Sequence, residues 1–306
     1  MKKIKLLLCL FMLTTLCGCS NSNKNESSKT LNAAMFWIST SLDPTNNYDG
    51  WVLSRIGVGE TLLKLNEKYE VEPYLAKSYE QIDDTTWKLT LKDSITFSNG
   101  KKVTGENVKS CLERAFEKNT RAIDYFDLNH VEAKGQDIYL YLNKSSGAIL
   151  NNLCEPLFTI YDASQSEEDI ASHPICTGPF VVDDFVSEKT IDTSKNKKYY
   201  DGKAKLDHVH FSQVADSDAR VLALQSGEVD LANTIDYSSL KLFRNNKDYQ
   251  VLEVLGPRTN VIYMNNETTF LSDLTIRKAL SYSVNRKSIV KLIGGKEATG
   301  LYSSAL

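Results

Sequence analysis

The sequence predicts an α/β fold with both parallel and antiparallel strand pairing. Segments in which apolar and polar residues alternate, such as "TTWKLTLK" and "QDIYLYLNK", indicate half-buried strands. Segments with an apolar residue every three or four positions, such as "ENVKSCLERAFEK", indicate amphipathic helices. The two kinds of segment are interspersed along most of the chain, which is typical of mixed α/β proteins.

The first predicted element is a buried strand over residues 31–39, "LNAAMFWIS". A loop follows in "SLDPTNNYDG", because Asp43-Pro44 restricts the backbone and Asn, Asp and Gly favour turns. Residues 51–65 carry apolar side chains at helical spacing, so this segment predicts a helix.

A hairpin region is predicted in "TTWKLTLKDSITFSNGK", where Trp87, Leu89 and Leu91 share one face and "SNGK" supplies the turn. The next segment predicts a helix that begins after Thr104 as its N-terminal cap, with Asn107 completing a capping box.

Three more strands, two more helical segments and one short strand are predicted. The strands are "QDIYLYLNK", "CTGPFVVDDFV" and "HVHFSQV". "SDARVLALQSGEVDLA" predicts a helix that ends at Gly227 and a short strand after it, with a structural ion pair expected between Arg220 and Asp230. "SDLTIRKALSYSVNRKSIVKLI" predicts a long amphipathic helical stretch with its apolar side chains packed inward.

The start of the chain predicts a lipoprotein signal peptide over residues 1–18. Its apolar run of eleven residues follows a lysine-rich start and is shorter than the roughly 20 residues of a membrane-spanning helix. "LCGC" resembles the lipobox of bacterial lipoproteins. The resemblance implies that cleavage leaves Cys19 as the first residue, with a diacylglyceryl group on its sulfur. Residues 19–30 then form a flexible tether. The alternative is an ordinary signal peptide in which Cys19 is incidental.

The charge and hydropathy of the chain limit which partners are expected. The chain has a net charge of -3, and removal of residues 1–18 takes three lysines with it, leaving -6. No large basic surface is implied, so nucleic acid is not expected as a partner. No second apolar segment approaches membrane-spanning length, so the lipid anchor is the only membrane contact expected.

Cysteine and histidine spacing predicts no metal site. Cys111 is expected to be a buried residue of a helix, whereas Cys154 and Cys176 either pair or remain two separate thiols. His208 and His210 share one strand face, but no third ligand is near them in sequence, so they are expected to be surface residues.

Several ordered segments resemble those of the extracellular solute-binding proteins of peptide and nickel importers, known as solute-binding protein family 5. The segments are "LDPTNNYDG", "LLKLNEKYEVEPYLAKSYEQIDDTTWKLTLKDSITFSNGKKVTGENVKSCLERA", "CTGPFVV", "NKKYYDGKAKLDHVHFSQVADSDARVLALQSGEVDLA" and "LTIRKALSYSVNRKSIV". The resemblance implies a periplasmic-binding-protein-like fold (type II, cluster C), in which two lobes close over a ligand and dock on an ABC permease.

The resemblance also implies a domain organisation. Residues 31–256 are expected to form the first lobe, with an inserted subdomain at about 67–166, and residues 257–306 are expected to begin the second lobe. Because members of the family continue well past this length, a C-terminally truncated chain is expected, with a nearly complete first lobe and an incomplete second one.

Four residues are predicted to bind ligand. Tyr48 and Trp51 follow the Asp43-Pro44 turn, where aromatic rings at a lobe edge can stack on a solute. By resemblance, Arg121 and Tyr125 lie where nickel-type members carry a basic residue and an aromatic that contact an anionic metal chelate. An arginine suits a carboxylate because it donates two parallel hydrogen bonds.

The sequence departs from the family pattern nearby. A second arginine is expected around "LCEPLFTI", but Glu155 and Leu157 are found there. The ligand therefore stays open between a short peptide (oligopeptide or dipeptide) and a nickel chelate.

The sequence thus predicts a non-enzymatic, extracytoplasmic protein that is lipid-anchored to the cell membrane and needs no cofactor. It would be the substrate-binding component of an ABC importer, with the permease and its ATPase as partners. A peptide-sensing receptor lipoprotein is one alternative. An anchored hydrolase is another, against which stands the absence of GxSxG, HExxH and a Cys/His couple.

Overall fold

The computed structural model describes residues 28–254, 256–298 and 300–301. The signal peptide, Cys19 and residues 19–27 of the tether lie outside the described residues, so their predictions stay predictions. No helix in the described ranges has both the length and the apolar character needed to cross a bilayer.

The structure combines three sheets with short helices. The strands are β1 (Thr30–Met35), β2 (Leu63–Leu65), β3 (Val71–Pro73), β4 (Ala76–Gln81), β5 (Thr86–Leu91), β6 (Leu128–Lys134), β7 (Asp137–Leu142), β8 (Phe180–Val186), β9 (Thr190–Lys195), β10 (His208–Gln213) and β11 (Leu231–Ala232). The α-helices are α1 (Gly50–Arg55), α2 (Gly105–Lys118), α3 (Ala122–Tyr125), α4 (Ile149–Asn152), α5 (Glu167–Ser172), α6 (Ser217–Ser226), α7 (Leu274–Ser283) and α8 (Arg286–Ile293). Two 3₁₀ turns lie at Pro156–Phe158 and Leu240–Leu242.

The largest sheet is mixed and has the strand order β11-β1-β10-β9-β8. β1 pairs in parallel with both β10 and β11, whereas β9 pairs antiparallel with β10 and β8. Parallel and antiparallel pairing therefore occur together, and the predicted α/β class is confirmed.

The second sheet is antiparallel, with the order β4-β5-β7-β6, and α2 packs on it. Leu89 and Leu91 face the core as the alternation predicts, because every second residue of a strand points to the same side. α2 begins with the predicted capping box between Thr104 and Asn107 and buries Cys111 on its inner face. This sheet lies inside the segment expected to be the inserted subdomain, whose boundaries stay a prediction.

The helix predicted over residues 51–65 is wrong beyond Arg55. α1 ends there because Gly57 adopts a φ of 71°, a left-handed conformation that stops a helix. The chain then turns past Glu60, which bridges to Ile160, and enters β2. The strand predicted over residues 31–39 is also shorter and ends at Met35.

The long helical stretch predicted near residue 280 is divided in two. Val284 is extended, and Asn285 caps α8 by accepting a hydrogen bond from the Ser288 backbone. Neither α7 nor α8 buries a residue, so the expectation of inward apolar packing is wrong.

The ion pair expected between Arg220 and Asp230 is not formed. Arg220 is buried and donates to the backbone carbonyls of Val214, Ala215 and Thr234, so it joins the loop before α6 to the segment after β11. Asp230 accepts instead from Asn32 on β1.

Cys111, Cys154 and Cys176 are all free thiols, which resolves the open question of pairing in favour of separate cysteines. His210 lies 2.6 Å from the Asp192 carboxylate on the neighbouring strand. The described residues contain no cluster of three or more side chains suited to hold a metal ion.

Candidate functional site

The loop between β1 and α1 is fixed by a nearly buried ion pair. Asp43 accepts hydrogen bonds from Thr45 at 2.9 Å from the backbone and 2.7 Å from the hydroxyl. Its two carboxylate oxygens also accept from the two terminal nitrogens of Arg114 on α2, at 2.9 and 2.6 Å. Burial alone would raise the pKa of Asp43, but the hydrogen bonds from Arg114 and Thr45 outweigh it and hold this pKa below its usual value.

Asn119, which ends α2, holds the tip of the same loop. Its side-chain amide donates to the carbonyls of Thr45 and Asn47 at 3.0 and 3.1 Å. Asn47 has a φ of 47°, a left-handed conformation that asparagine tolerates better than most residues. The turn at Asn47 leads directly to Tyr48, whose ring is 55% exposed.

Arg121 crosses from the start of α3 to this loop. It donates to the Asn47 carbonyl at 2.9 Å and to the Tyr125 hydroxyl at 2.7 Å. The carbon at the centre of its guanidinium lies 3.7 Å from the centroid of the Tyr48 ring, a close cation–π contact. Arg121 therefore has its planar face covered by Tyr48 and its orientation set by two hydrogen bonds.

Trp51 and Glu155 complete the same surface from the other side. The indole N–H of Trp51 donates to the Glu155 carboxylate at 2.9 Å. Burial, together with the nearby negative charge of Glu155, raises the pKa of Tyr125 to about 12, so its hydroxyl stays protonated at neutral pH. The Tyr125 hydroxyl therefore accepts a hydrogen bond from the Arg121 cation and is influenced by the negative charge of Glu155. We call Tyr48, Trp51, Arg121, Tyr125 and Glu155 the aromatic–charged cluster.

A cavity of about 360 Å³ lies beside this cluster, with Trp51 in its wall. Cys154 and Pro156, the two neighbours of Glu155, line it as well, and so do Glu60 and Tyr74. Glu60 is buried, and its carboxylate accepts from Thr177 at 2.7 Å and from the Tyr199 hydroxyl at 2.9 Å. The cavity therefore adjoins both apolar rings and a carboxylate that is already hydrogen-bonded.

The structure brings all four predicted residues together, although they come from two segments more than sixty residues apart. Their role in binding ligand stays a prediction. Sequence reasoning missed Glu155 as a member of the cluster, because it expected an arginine at that place. The sequence signal that could have indicated it is an acidic residue, Glu155, directly before the turn that begins at Pro156.

Comparisons with known proteins agree with this architecture. Residues 70–306 match the profile of the bacterial extracellular solute-binding proteins, family 5 Middle. The chain is 32% identical over 274 residues to the nickel-binding protein NikA of Staphylococcus aureus, which covers 90% of this chain and 54% of that protein. It is 28% identical over 248 residues to the glutathione-binding protein GsiB of Escherichia coli O1:K1 / APEC, which covers 78% of this chain and 48% of that protein.

A solved structure shows the same fold. NikA from Staphylococcus aureus in complex with Ni(L-His)₂ superposes with a TM-score of 0.81 at 31% identity, covering 91% of this chain and 60% of that chain. The chain spans about half the length of the two relatives named above. Because the family profile matches well over half of the chain, the protein belongs to the bacterial extracellular solute-binding proteins, family 5.

Proposed function

We propose that this chain belongs to the substrate-binding component of an ABC importer and that the aromatic–charged cluster contacts its solute. The observation that carries the proposal is one cluster in which Arg121 stacks on Tyr48 and donates to Tyr125, while Glu155 accepts from Trp51. A half-buried cation and a half-buried anion held by aromatic side chains form a small, orienting surface rather than a structural core.

The charges favour a solute that carries both a carboxylate and an amine. Arg121 can offer its remaining N–H groups to a carboxylate, and Glu155 can accept from an ammonium group. Amino acids and short peptides carry both groups, whether free or as ligands of nickel. The two relatives are consistent with this class, since one is a nickel-binding protein and the other binds glutathione, which is itself a peptide.

Of the two solutes, we place the nickel chelate first. The higher identity and the TM-score of 0.81 belong to NikA, whose solved complex holds nickel with histidine. Since the described residues hold no cluster of metal ligands, the metal would arrive already chelated, and the protein would recognise the organic part. The short peptide stays as the second candidate. One feature favours it, because the Glu155 carboxylate suits an ammonium group better than an anionic chelate.

The anchoring proposal completes the function. Acylation of Cys19 would hold the domain at the outer surface of the cell membrane, where a permease with its ATPase could receive the solute. Radiolabelled palmitate should enter the protein, and Cys19→Ala should abolish the incorporation. Equal labelling of the variant would contradict the anchor without touching the binding proposal.

Calorimetric titration with nickel alone, nickel with L-histidine, and glutathione tests the binding proposal. Arg121→Met keeps approximately the length of the side chain but removes the guanidinium group and its paired N–H donors. We therefore expect roughly 10- to 100-fold weaker binding of the preferred solute. Glu155→Gln keeps an acceptor for Trp51 and should weaken binding only of solutes with a free ammonium group. Arg286→Met, on an exposed residue of α8, is the charge-matched control and should leave the affinity unchanged.

Three outcomes would contradict the proposal or redirect it. Equal affinities for Arg121→Met and Arg286→Met would remove the cluster from the binding site. Heat that continues to be released after saturation, together with new products of the solute in the calorimeter cell, would favour the anchored hydrolase. Tight binding without uptake in cells that carry the permease would favour the peptide-sensing receptor.

A further inference from the structure

One end of the large sheet carries a concentrated positive charge that the solute site does not use. The connection from β9 to β10, residues 195–207, has the sequence "KNKKYYDGKAKLD". Its five lysines against two aspartates give it a net charge of +3, in a chain whose total is -3. We call residues 195–207 the lysine loop. The lysine loop is thus a local concentration of positive charge in a chain that is acidic overall.

The lysine loop is held in a fixed conformation. The buried side chain of Asn196 donates to the Gly178 carbonyl at 2.8 Å, and Tyr199 donates to the buried Glu60 carboxylate at 2.9 Å. Lys198 donates to the carbonyl of Asn99 at 2.8 Å, which ties the loop to the neighbouring turn. A loop fixed by buried polar groups presents its charges on a defined surface instead of sampling many positions.

The charges of the lysine loop point to solvent. Lys197, Lys203 and Lys205 are exposed, whereas Lys195 is paired with Asp207. Lys101 and Lys102 extend the surface on the adjoining turn, where Lys101 is paired with Asp162 at 2.9 Å. Asp201 is the acidic residue of the loop that lies exposed among these lysines.

The N-terminal segment enters the fold at the same place. Two hydrogen bonds join Lys29 and Asp207: the Lys29 backbone N–H donates to the Asp207 carboxylate at 2.9 Å, and the Asp207 backbone N–H donates to the Lys29 carbonyl at 2.8 Å. β1 then runs parallel to β10 from its first residue, Thr30, which pairs with His208. The lysine loop and the start of the ordered chain therefore share one end of the sheet.

We propose that the lysine loop is a membrane-facing surface that rests on anionic phospholipid headgroups and so orients the lobe on the bilayer. The inference rests on the proposed acylation of Cys19 for its proximity to the membrane. The ten residues between Cys19 and Thr30 are rich in Ser, Asn and Lys, and a random-coil chain of that length has an average end-to-end distance of roughly 16 to 19 Å. The loop is therefore within reach of the surface to which the anchor is bound.

The electrostatics act in the same direction. An anionic bilayer attracts exposed lysines over about a Debye length, near 8 Å at physiological salt. Residues 31–194, which form most of the fold, carry a net charge of -11, so the same surface repels the faces that they form. Attraction at the lysine loop and repulsion of those faces would favour one orientation of the lobe.

Lysine acetylation footprinting on vesicles tests the proposal with the acylated, processed chain. The vesicles contain phosphatidylcholine alone or phosphatidylcholine with phosphatidylglycerol, and modification is read by mass spectrometry. On the anionic vesicles we expect Lys197, Lys203 and Lys205 to be acetylated about fivefold more slowly, from the known attraction per basic residue. Lys68, Lys134 and Lys144 are exposed lysines in the acidic part of the chain outside the loop, and they serve as internal controls with unchanged rates.

A pair of charge-matched variants completes the test. The triple change Lys197→Gln, Lys203→Gln and Lys205→Gln should remove the protection of Lys29 and Lys102 on anionic vesicles. The triple change Lys68→Gln, Lys134→Gln and Lys144→Gln should keep it. High salt should abolish the protection in every chain that shows it, because the attraction is screened.

The outcomes separate the two proposals. Equal protection on neutral and anionic vesicles, or equal protection in both variants, would overturn the membrane-facing surface. Protection that needs native membranes and fails on pure lipid would mean that an acidic protein binds the loop, which also overturns the lipid proposal. A chain without an acyl group at Cys19 would contradict the anchor, and the same footprint, measured with that unanchored chain on anionic vesicles, would still decide the role of the loop.

Discussion

Arg114 and Asp43 form a two-point ion pair, with nitrogen–oxygen distances of 2.9 and 2.6 Å, at the base of the loop that carries Tyr48 and Trp51. Each side chain is less than 15% exposed. The pair joins α2, which packs on the four-stranded sheet, to the loop that follows β1 of the five-stranded sheet. The position of the aromatic–charged cluster therefore depends on this pair.

Asp43→Asn is expected to destabilise the fold by about 3 kcal/mol, because it leaves the Arg114 charge nearly buried without its anion. Chemical denaturation followed by tryptophan fluorescence measures the loss. Lys109→Gln, which breaks the exposed pair with Glu113 on the same helix, is the control and should cost less than about 1 kcal/mol. Equal losses in the two variants would show that the Asp43 pair adds no more than a surface contact.

The same pair also shows where sequence reasoning ends. Thr104 and Asn107 were predictable as a capping box because they lie three residues apart and the motif is local. Asp43 and Arg114 are separated by 71 positions, and Trp51 and Glu155 by 104, so no local pattern relates them. The sequence could place the aromatic and basic residues in plausible segments, but it could not show which carboxylate lies against them.

The failed helix predictions have a related cause. Apolar spacing alone continues a helix from residue 51 to 65, yet Gly57 turns the backbone and the chain crosses to β2. Near residue 284 the spacing again continues, whereas Asn285 starts a new helix through its side-chain cap. In both places the end of a helix is decided by one residue whose backbone preference outweighs the periodicity.

A second prediction concerns Asp49, which lies between Tyr48 and the start of α1. Burial, together with the negative charge of Asp43, raises its pKa from 3.8 to about 6, although a hydrogen bond from Asn46 partly opposes the rise. Because the folded-state pKa is the higher one, folding favours the protonated acid. The stabilisation is complete below pH 3.8 and is lost as the pH rises through about 6.

Asp49→Asn is therefore expected to stabilise the protein by about 2 kcal/mol at pH values above 6 and to have little effect near pH 4. Denaturation curves on both sides of pH 6 for the two proteins measure the difference. Asp201→Asn, on an exposed loop residue, is the control for loss of one negative charge. A stability difference that does not change with pH would refute the role assigned to Asp49.

A third prediction tests the close contact between the turn at Gly178 and the segment after α1. A β-carbon on Gly178 would lie 2.5 Å from the carbonyl oxygens of Gly57 and Val58, which are backbone atoms that cannot move aside alone. Gly178→Ala should therefore destabilise the fold by about 3 kcal/mol or prevent its formation. Gly147→Ala, where nothing lies within 4 Å, is the matched control and should be nearly neutral. Comparable midpoints of thermal unfolding for the two variants would contradict the predicted clash.

A fourth prediction uses the free thiols to probe the cavity beside Trp51. Cys154 lines that cavity and is half-buried, whereas Cys111 and Cys176 are only 2% exposed. Burial raises the pKa of Cys154 to about 11, so little thiolate exists at neutral pH, and alkylation should be slow but should favour Cys154 over Cys111 and Cys176. Mass spectrometry after timed iodoacetamide treatment identifies the modified cysteine. A solute that fills the cavity should slow the reaction of Cys154 further. Unchanged rates at saturating solute would place the bound molecule elsewhere on the cluster, and early labelling of Cys111 would show that the core opens instead.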